Sequence, residues 1–497
     1  MTHINNTTTG RRRALGAALL STTLLATAAC NTDEIIAVDD PDRVRIESIS
    51  DSTALPAVYG ATIADFQLAY SGGNAEGQIL QSGLLADEYY SSGTFPTRIE
   101  VDRRDVLDRN ATNQDVFRRL GRARRTAEVG ADGFGQFLPS DVRRSEIFSL
   151  AGFTYVFFGE NYCSGVPISD VVDGEFVYGE PLSTDSLHRR SLARFDSALA
   201  VATAADTSTA ARRTARTRNI NLARVGRGRA LLNLGQFAAA AAAVTTVPTT
   251  YRYDIEHSGN TARQNNGQWN FSNNQGRWSV ANRQGVNGLP YQEAFDAGDT
   301  RVPYAILGGA LRRGQATTAL RATQQKYPEL SSPVPLVTGV EARLIEAEAA
   351  LRAGNTVSFL AIHNALRAMT SLYACPINSV GCTSRTTALP AILATEVATP
   401  VMAQNVHFRE RAYWLFETSH RLGDMRRLIR QYGRGAETVF PTGAFTRPSS
   451  AATSVPILLN PGTYGTDVSL PVPIDEENNP NFESCDNSAA GEDPFAP

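Results

Sequence analysis

The tightest constraint on how this chain can fold is a spacing of small residues that occurs twice. In RNINLARVGRGRALLNLGQFAAAAAAV (Arg218 to Val244), Gly228, Gly235 and Ala240 stand at offsets 0, 7 and 12. The spacing is that of a tetratricopeptide-like helical hairpin, in which small side chains let two antiparallel helices approach closely. Val340 to Met369 repeats the layout, with Ala347 in the place of Gly228, Gly354 in that of Gly235, and Leu344 and Leu351 matching Val225 and Leu232. The copies lie 119 residues apart, so this is no tandem array, and two unrelated hairpins are the alternative. The alanine run Ala238–Ala243 suits either, as a strong helix former and a close-packing surface.

Other helices follow from periodicity and caps. One begins near Leu55-Pro56, a second spans Gly77 to Tyr90, and an arginine-rich third covers Asn113 to Phe137. Ser145 to Gly159 is apolar nearly all round and so buried. Asp185 to Ala205 follows a Ser183-Thr184-Asp185 cap cluster, and Pro390 to Thr399 is short. Residues 91 to 107 are irregular, and Gly435 to Pro497 is loop-rich with strand signals at Val455–Leu459 and Val468–Val472. Arg409 to Arg434 has no proline and only Gly423 in its interior, so it reads as one helix of about seven turns. Phe408, Ala412, Leu415, Ser419, Leu422, Met425 and Ile429 share one face. Glu417 and Asp424 are both spaced to pair with Arg421.

With 497 residues the chain holds about three domains or one large one. Its 42% hydrophobic and 20% charged residues are ordinary for a globular protein. Lys326 is the only lysine. The net charge is -3, and without residues 1–29, which hold Arg11, Arg12 and Arg13 and no acid, it is -6. A mildly acidic chain argues against a nucleic-acid partner.

Arg11–Arg13 and the apolar run Ala14 to Ala26 form a targeting segment too short to span a bilayer. It ends in Ala26-Thr27-Ala28-Ala29-Cys30, which resembles a bacterial lipobox with Cys30 as the acylated residue; Thr27 stands where leucine is commoner. Ordinary secretory cleavage, leaving Cys30 as a thiol, is the alternative. A lipid would be the only membrane attachment. Residues 31–55 read as an acidic tether. Export places Cys163, Cys375, Cys382 and Cys485 in an oxidising compartment. Cys375 and Cys382 enclose a short loop suited to a local disulfide, which would leave Cys163 with Cys485, although four cysteines allow three connectivities.

Between the hairpins, His257 to Pro290 is dominated by Asn, Gln, Gly, Ser and Arg, yet carries Trp269, Phe271 and Trp278, with Tyr291 just beyond. A polar loop builds no core of its own, so its aromatics either plug into the body or face a ligand. Rings beside amides and guanidinium groups suit a sugar, stacking on its C–H faces while polar groups read its hydroxyls. Tyr89, Tyr90 and Phe95 join the ligand candidates. Catalytic motifs are missing: there is no GxSxG, HExxH, P-loop or strand-borne GxGxxG. No metal site and no cofactor is expected. Asp296 and Asp299 read as a turn and helix cap, and Asp87 and Glu88, as adjacent helical residues, point apart rather than forming an acid pair.

Near the C-terminus, Glu410-Arg411, His420-Arg421 and Asp424-Met425-Arg426-Arg427 stand in an order that resembles the SusD/RagB family of nutrient-binding lipoproteins. Lys326-Tyr327-Pro328, Asp299-Thr300-Arg301, Leu470-Pro471-Val472-Pro473 and Asn479-Pro480-Asn481 add to the likeness. Departures are Thr418-Ser419 for Glu-Gly, Met425 for Leu, and Trp414 where an acid is frequent. The resemblance implies a mainly α fold, an alpha-alpha superhelix of tetratricopeptide-like hairpins cradling a loop-rich ligand-binding half with little β-structure. Residues 56–497 would form a single such domain, with hairpins near 56–245 and 340–434, an insert at 250–335 and a loop-rich end at 435–497. It implies a surface lipoprotein of the outer membrane that performs no chemistry and hands oligosaccharides, or in some members peptides, to a TonB-dependent transporter of the SusC type. A periplasm-facing helical scaffold and a glycoside hydrolase are the rival readings.

Overall fold

The computed structural model describes Ile49 and residues 51–488, apart from 173–174, 374–387 and 452–456, and without the side chains of 373 and 457–461. The targeting segment, Cys30, most of the tether, Cys375 and Cys382 lie outside the described residues. Thirteen α-helices are described: α1 Leu55–Tyr70, α2 Gln78–Leu85, α3 Pro96–Asp102, α4 Ala111–Phe137, α5 Val142–Asn161, α6 Thr184–Ala204, α7 Ala210–Asn233, α8 Phe237–Val244, α9 Tyr291–Asp296, α10 Gly339–Arg352, α11 Thr356–Ala368, α12 Pro400–Trp414 and α13 Arg421–Arg430. Strands among the described residues occur only as two-stranded pairs. Four matter below: β1 Tyr89–Ser91 with β3 Trp278–Val280, and β2 Arg252–Ile255 with β4 Val334–Thr338.

Local chemistry sets the helix starts. The side chains of Asn110, Asp141, Ser183, Thr209, Thr338, Asn355 and Thr399 each accept a backbone N–H in the first turn of the helix that follows. From α4 to α8 each helix packs on the next, and α8 then packs on α10 across the irregular stretch between them. Both small-residue copies form helical hairpins, α7–α8 and α10–α11. Gly235 and Gly354 make the turns at φ of +71° and +68°, which only glycine adopts cheaply. A Cβ on Gly228 would stand 2.6 Å from Val244 Cγ1, so the helices meet at that distance only because none is there. α5 is buried on nearly every side and carries the aromatic spine Phe153, Phe157 and Phe158.

Several expectations change. Pro390–Thr399, expected to be a short helix, holds only a 3-10 turn at Ala394–Val397. Gly77 to Tyr90 is not one helix: α2 stops at Leu85, and Tyr89 and Tyr90 enter β1. Residues 91–107, expected irregular, hold α3. Val468–Val472 forms no strand, only a bridge from Leu470 to Tyr162, whereas the strand Ile457–Thr463 overlaps the other signal. The folded body also starts within the expected tether, with a 3-10 turn at Ser52–Ala54 and Leu55 opening α1. Cys163 and Cys485, 322 residues apart, are joined by a disulfide.

The larger correction is at Arg409–Arg434, which is two helices rather than one. α12 ends at Trp414, and α13 starts at Arg421 after a turn in which Glu417 and Ser419 take φ of 59° and 58°. The break is imposed from outside. Lys326 donates to Phe416 O, Tyr327 OH to Glu417 O at 3.1 Å, and Arg229 to Ser419 O at 2.8 Å. Three carbonyls of the turn are thus taken by side chains of other elements, which stabilises the break in the helical ladder. The expected pairing of Arg421 with Glu417 or Asp424 is also replaced. Arg421 grips Asp87 at 2.7 and 2.9 Å, while Asp424 takes Arg411 and Arg427, each at 2.7 Å.

These buried pairs make stability sensitive to acid. Burial alone would raise the Asp424 carboxyl, but Arg411 and Arg427 outweigh it and draw it down to about 2. Arg301 and Arg367 likewise outweigh burial at Glu410, also held at about 2. A carboxyl lowered on folding contributes stability above its unfolded value, near pH 4, and loses it as pH falls through about 2. Glu88 behaves oppositely. Burial pushes it up to about 8, so its contribution is present below its unfolded value and lost as pH rises through about 8. Stability therefore peaks between these limits. Circular dichroism during acid titration is expected to show cooperative loss of helix below about pH 4, with a gentler slope in Glu410→Gln. Helix content and melting temperature unchanged down to pH 2 would refute the assignment.

Candidate functional site

Of the seven aromatic ligand candidates, the structure removes five from solvent. Trp278, Tyr89 and Tyr291 are wholly buried, Tyr90 and Phe271 almost so. Trp278 lies in β3 opposite Ser91, with its ring edge-on to Tyr89 at 6.0 Å. Tyr291 packs on Phe416 at 5.3 Å and on Tyr413 at 5.6 Å, and Tyr90 OH donates to Leu320 O at 3.0 Å. In this structure these rings are buried and anchor the insert. The polar residues around them have the same task. Asn266 donates to Ser332 O, Asn270 to Gly73 O and Gln292 to Val280 O, at 2.7 to 2.9 Å. Irregular backbone has no ladder to satisfy its carbonyls, so side-chain amides do it.

Phe95 and Trp269 remain. Phe95 is 41% exposed, immediately before α3. Its loop is held to the insert by Ser92, whose N–H donates to Arg277 O at 2.9 Å and whose hydroxyl donates to Gly276 O at 3.0 Å. Arg447 donates from below to Ser91 O and Gly93 O, both at 2.9 Å. The exposed ring is thus carried on a fixed loop.

Two guanidinium groups flank it, that of Arg98 with its carbon 4.5 Å from the ring centroid and that of Arg277 at 4.7 Å. Arg98 is buried, pairs with Glu76 and lies 5.7 Å from the Phe271 ring. Trp269, half-buried, opens the π-helical turn Trp269–Asn274 that also carries Phe271. Two donors at this edge, Arg98 Nη1 and Arg277 Nε, have no hydrogen-bond partner among the described residues. Burial and the neighbouring Arg98 charge both lower the Arg277 pKa. An exposed ring on a fixed loop, flanked by two guanidinium groups, is an arrangement that suits a polyol. Arg98 and Arg277 were not singled out from sequence. The available signal was an arginine three residues after Phe95, one turn on along α3.

Three of the four acids are held by other side chains: Asp299 binds Arg301 at 2.8 and 2.6 Å, Tyr304 donates to Asp296 at 3.0 Å, and Asp87 is held by Arg421. Glu88 Oε1 accepts Glu417 N–H at 3.1 Å, and its Oε2 has no partner among the described residues. Among the described residues no group of three or more His, Cys, Asp or Glu is placed to hold a metal.

The sequence matches no family model, and no curated protein sequence matches it. Solved structures do match its fold. A SusD-like protein from Bacteroides fragilis superposes with a TM-score of 0.58 at 13% identity, over 89% of this chain and 99% of that one. A SusD homolog from Bacteroides thetaiotaomicron gives 0.56 at 12%, over 89% and 99%. A SusD-like carbohydrate binding protein from Bacteroides vulgatus gives 0.51 at 14%, over 76% and 83%. Identities this low speak for architecture alone, and in architecture the chain has the SusD-like fold.

Proposed function

We propose that this chain is a non-catalytic carbohydrate-binding lipoprotein that captures oligosaccharides at the Phe95 edge. The observation that carries the reading is the exposed Phe95 ring, held on a fixed loop and flanked by Arg98 and Arg277. The fold shared with a protein described as SusD-like and carbohydrate binding supports the ligand class. Anchorage through Cys30 on the outside of the outer membrane, and delivery to a TonB-dependent transporter of the SusC type, belong to the same proposal. Their support is the lipobox-like run before Cys30 and the family resemblance.

The test is a screen of oligosaccharides and of unmodified peptides against the soluble chain lacking residues 1–30. Saccharides are expected to bind and to be recovered intact. Binding confined to peptides would move the ligand to the other class the resemblance allows, and release of new reducing ends would make the protein an enzyme.

A further inference from the structure

The Phe95 edge is assembled from three stretches of chain, and none of them carries an acid. Ser92 N–H donates to Arg277 O at 2.9 Å, Gln315 N–H to Gly276 O at 2.8 Å and Ala316 N–H to Ser92 O at 2.9 Å, so residues 89–98, 267–280 and 306–325 meet here. Together they hold Arg98, Arg277, Arg312, Arg313 and Arg321, and not one Asp or Glu. A surface built from such segments is electropositive unless acids reach it from elsewhere.

The acids of the neighbouring segments are engaged. Glu76 pairs with Arg98, Glu100 accepts from Asn110 at 2.7 Å, and Asp102 accepts from Ser91 N–H at 2.8 Å and from Gln284 at 3.0 Å. Two of the arginines spend their hydrogen bonds on backbone rather than on a carboxylate. Arg321, buried beneath Gly276, where a Cβ would stand 3.2 Å from its side chain, donates to Ser272 O and Asn273 O, and Arg312 donates to Ser450 O at 3.2 Å. Carbonyl oxygens satisfy the donors and leave the charge. Arg277 lies half-buried against the Phe95 ring, and no carboxylate pairs with it among the described residues. Glu76 attracts it from a distance, but Arg98 already holds that carboxylate. Two guanidinium groups therefore flank Phe95 with one carboxylate between them, and the edge is short of a negative charge.

We propose that the Phe95 edge selects acidic saccharides, sugars that carry a carboxylate or a sulfate, with the sugar against Phe95 and its anionic group on the Arg277 guanidinium. The planar fork of an arginine suits the paired oxygens of such a group. The proposal rests on the reading of this edge as a saccharide site. The probes are tri-galacturonic and tri-glucuronic acid, each beside its uncharged methyl ester, and a sulfated galactose trisaccharide beside its desulfated form, all titrated calorimetrically. At least one acid is expected to bind the parent about tenfold or more tighter than its uncharged counterpart, and the two arms show whether carboxylate or sulfate serves. Arg277→Gln should bring that ratio close to one, and added salt in the parent should weaken the acid more than the counterpart. The ratio is read within one protein, so a partly unfolded variant does not imitate the effect. Equal affinity for acid and counterpart in the parent, a ratio that Arg277→Gln leaves untouched, or failure of every acid to bind overturns the inference. A neutral saccharide whose binding depends on Phe95 would then leave the saccharide reading standing, whereas no binding of any saccharide would take both down.

Discussion

Arg421→Ala is expected to lower folding stability by about 3–5 kcal/mol, the usual cost of stranding one partner of a buried ion pair. Arg421 Nε and Nη2 bind the two Asp87 carboxylate oxygens, at 2.7 and 2.9 Å, with both side chains almost inaccessible. Asp87 also takes Leu289 N–H at 2.9 Å and Tyr291 OH at 3.3 Å, so this one carboxylate joins α13 to the end of the α2 segment and to the start of α9. Without the guanidinium, the carboxylate stays buried with neutral donors only. Lysine is not expected to rescue the loss, because a point charge cannot make the two parallel bonds. Asp87→Ala/Arg421→Ala should cost clearly less than the two single losses added together, as pairs in contact do. Urea unfolding of the four proteins measures this. A midpoint for Arg421→Ala equal to that of the parent would contradict a buried, stabilising pair.

Trp278→Ala is expected to cost about 3–5 kcal/mol while leaving ligand affinity unchanged in the folded fraction. The indole has no exposed surface and sits against Tyr89, which in turn touches Phe416 at 6.4 Å. The cavity would open where β1, β3 and the turn after α12 meet. Thermal melts paired with titrations separate the two effects. A variant that melts like the parent but binds more weakly would make Trp278 a ligand contact after all.

These two residues also mark how far the sequence could be read. The helical hairpins were legible because their cause is local: small residues at fixed spacing, glycine at the turn, Ser, Thr, Asp and Asn at the caps. The break after Trp414 was not, since the residues that make it are Lys326, Tyr327 and Arg229, all distant in the chain. The pairings of Arg421 and Asp424 failed for the same reason, because spacing along one helix cannot weigh partners from other elements. The insert misled through composition. Its amides look like ligand donors, and they donate to backbone carbonyls, Asn266 to Ser332 O and Asn270 to Gly73 O. Phe95 was reachable from its neighbourhood, but Arg98 and Arg277, brought to it by separate segments, required the fold.

The central claim is that the Phe95 edge captures a saccharide, and one paired measurement tests it most directly. A saccharide that binds the soluble parent is titrated into Phe95→Ala, and both proteins are melted under the same conditions. Phe95 is exposed, so the substitution should leave stability within about 0.5 kcal/mol. The account predicts that one binding class weakens about tenfold or more while the melting temperature holds. Full affinity in Phe95→Ala, at an unchanged melting temperature, would contradict it.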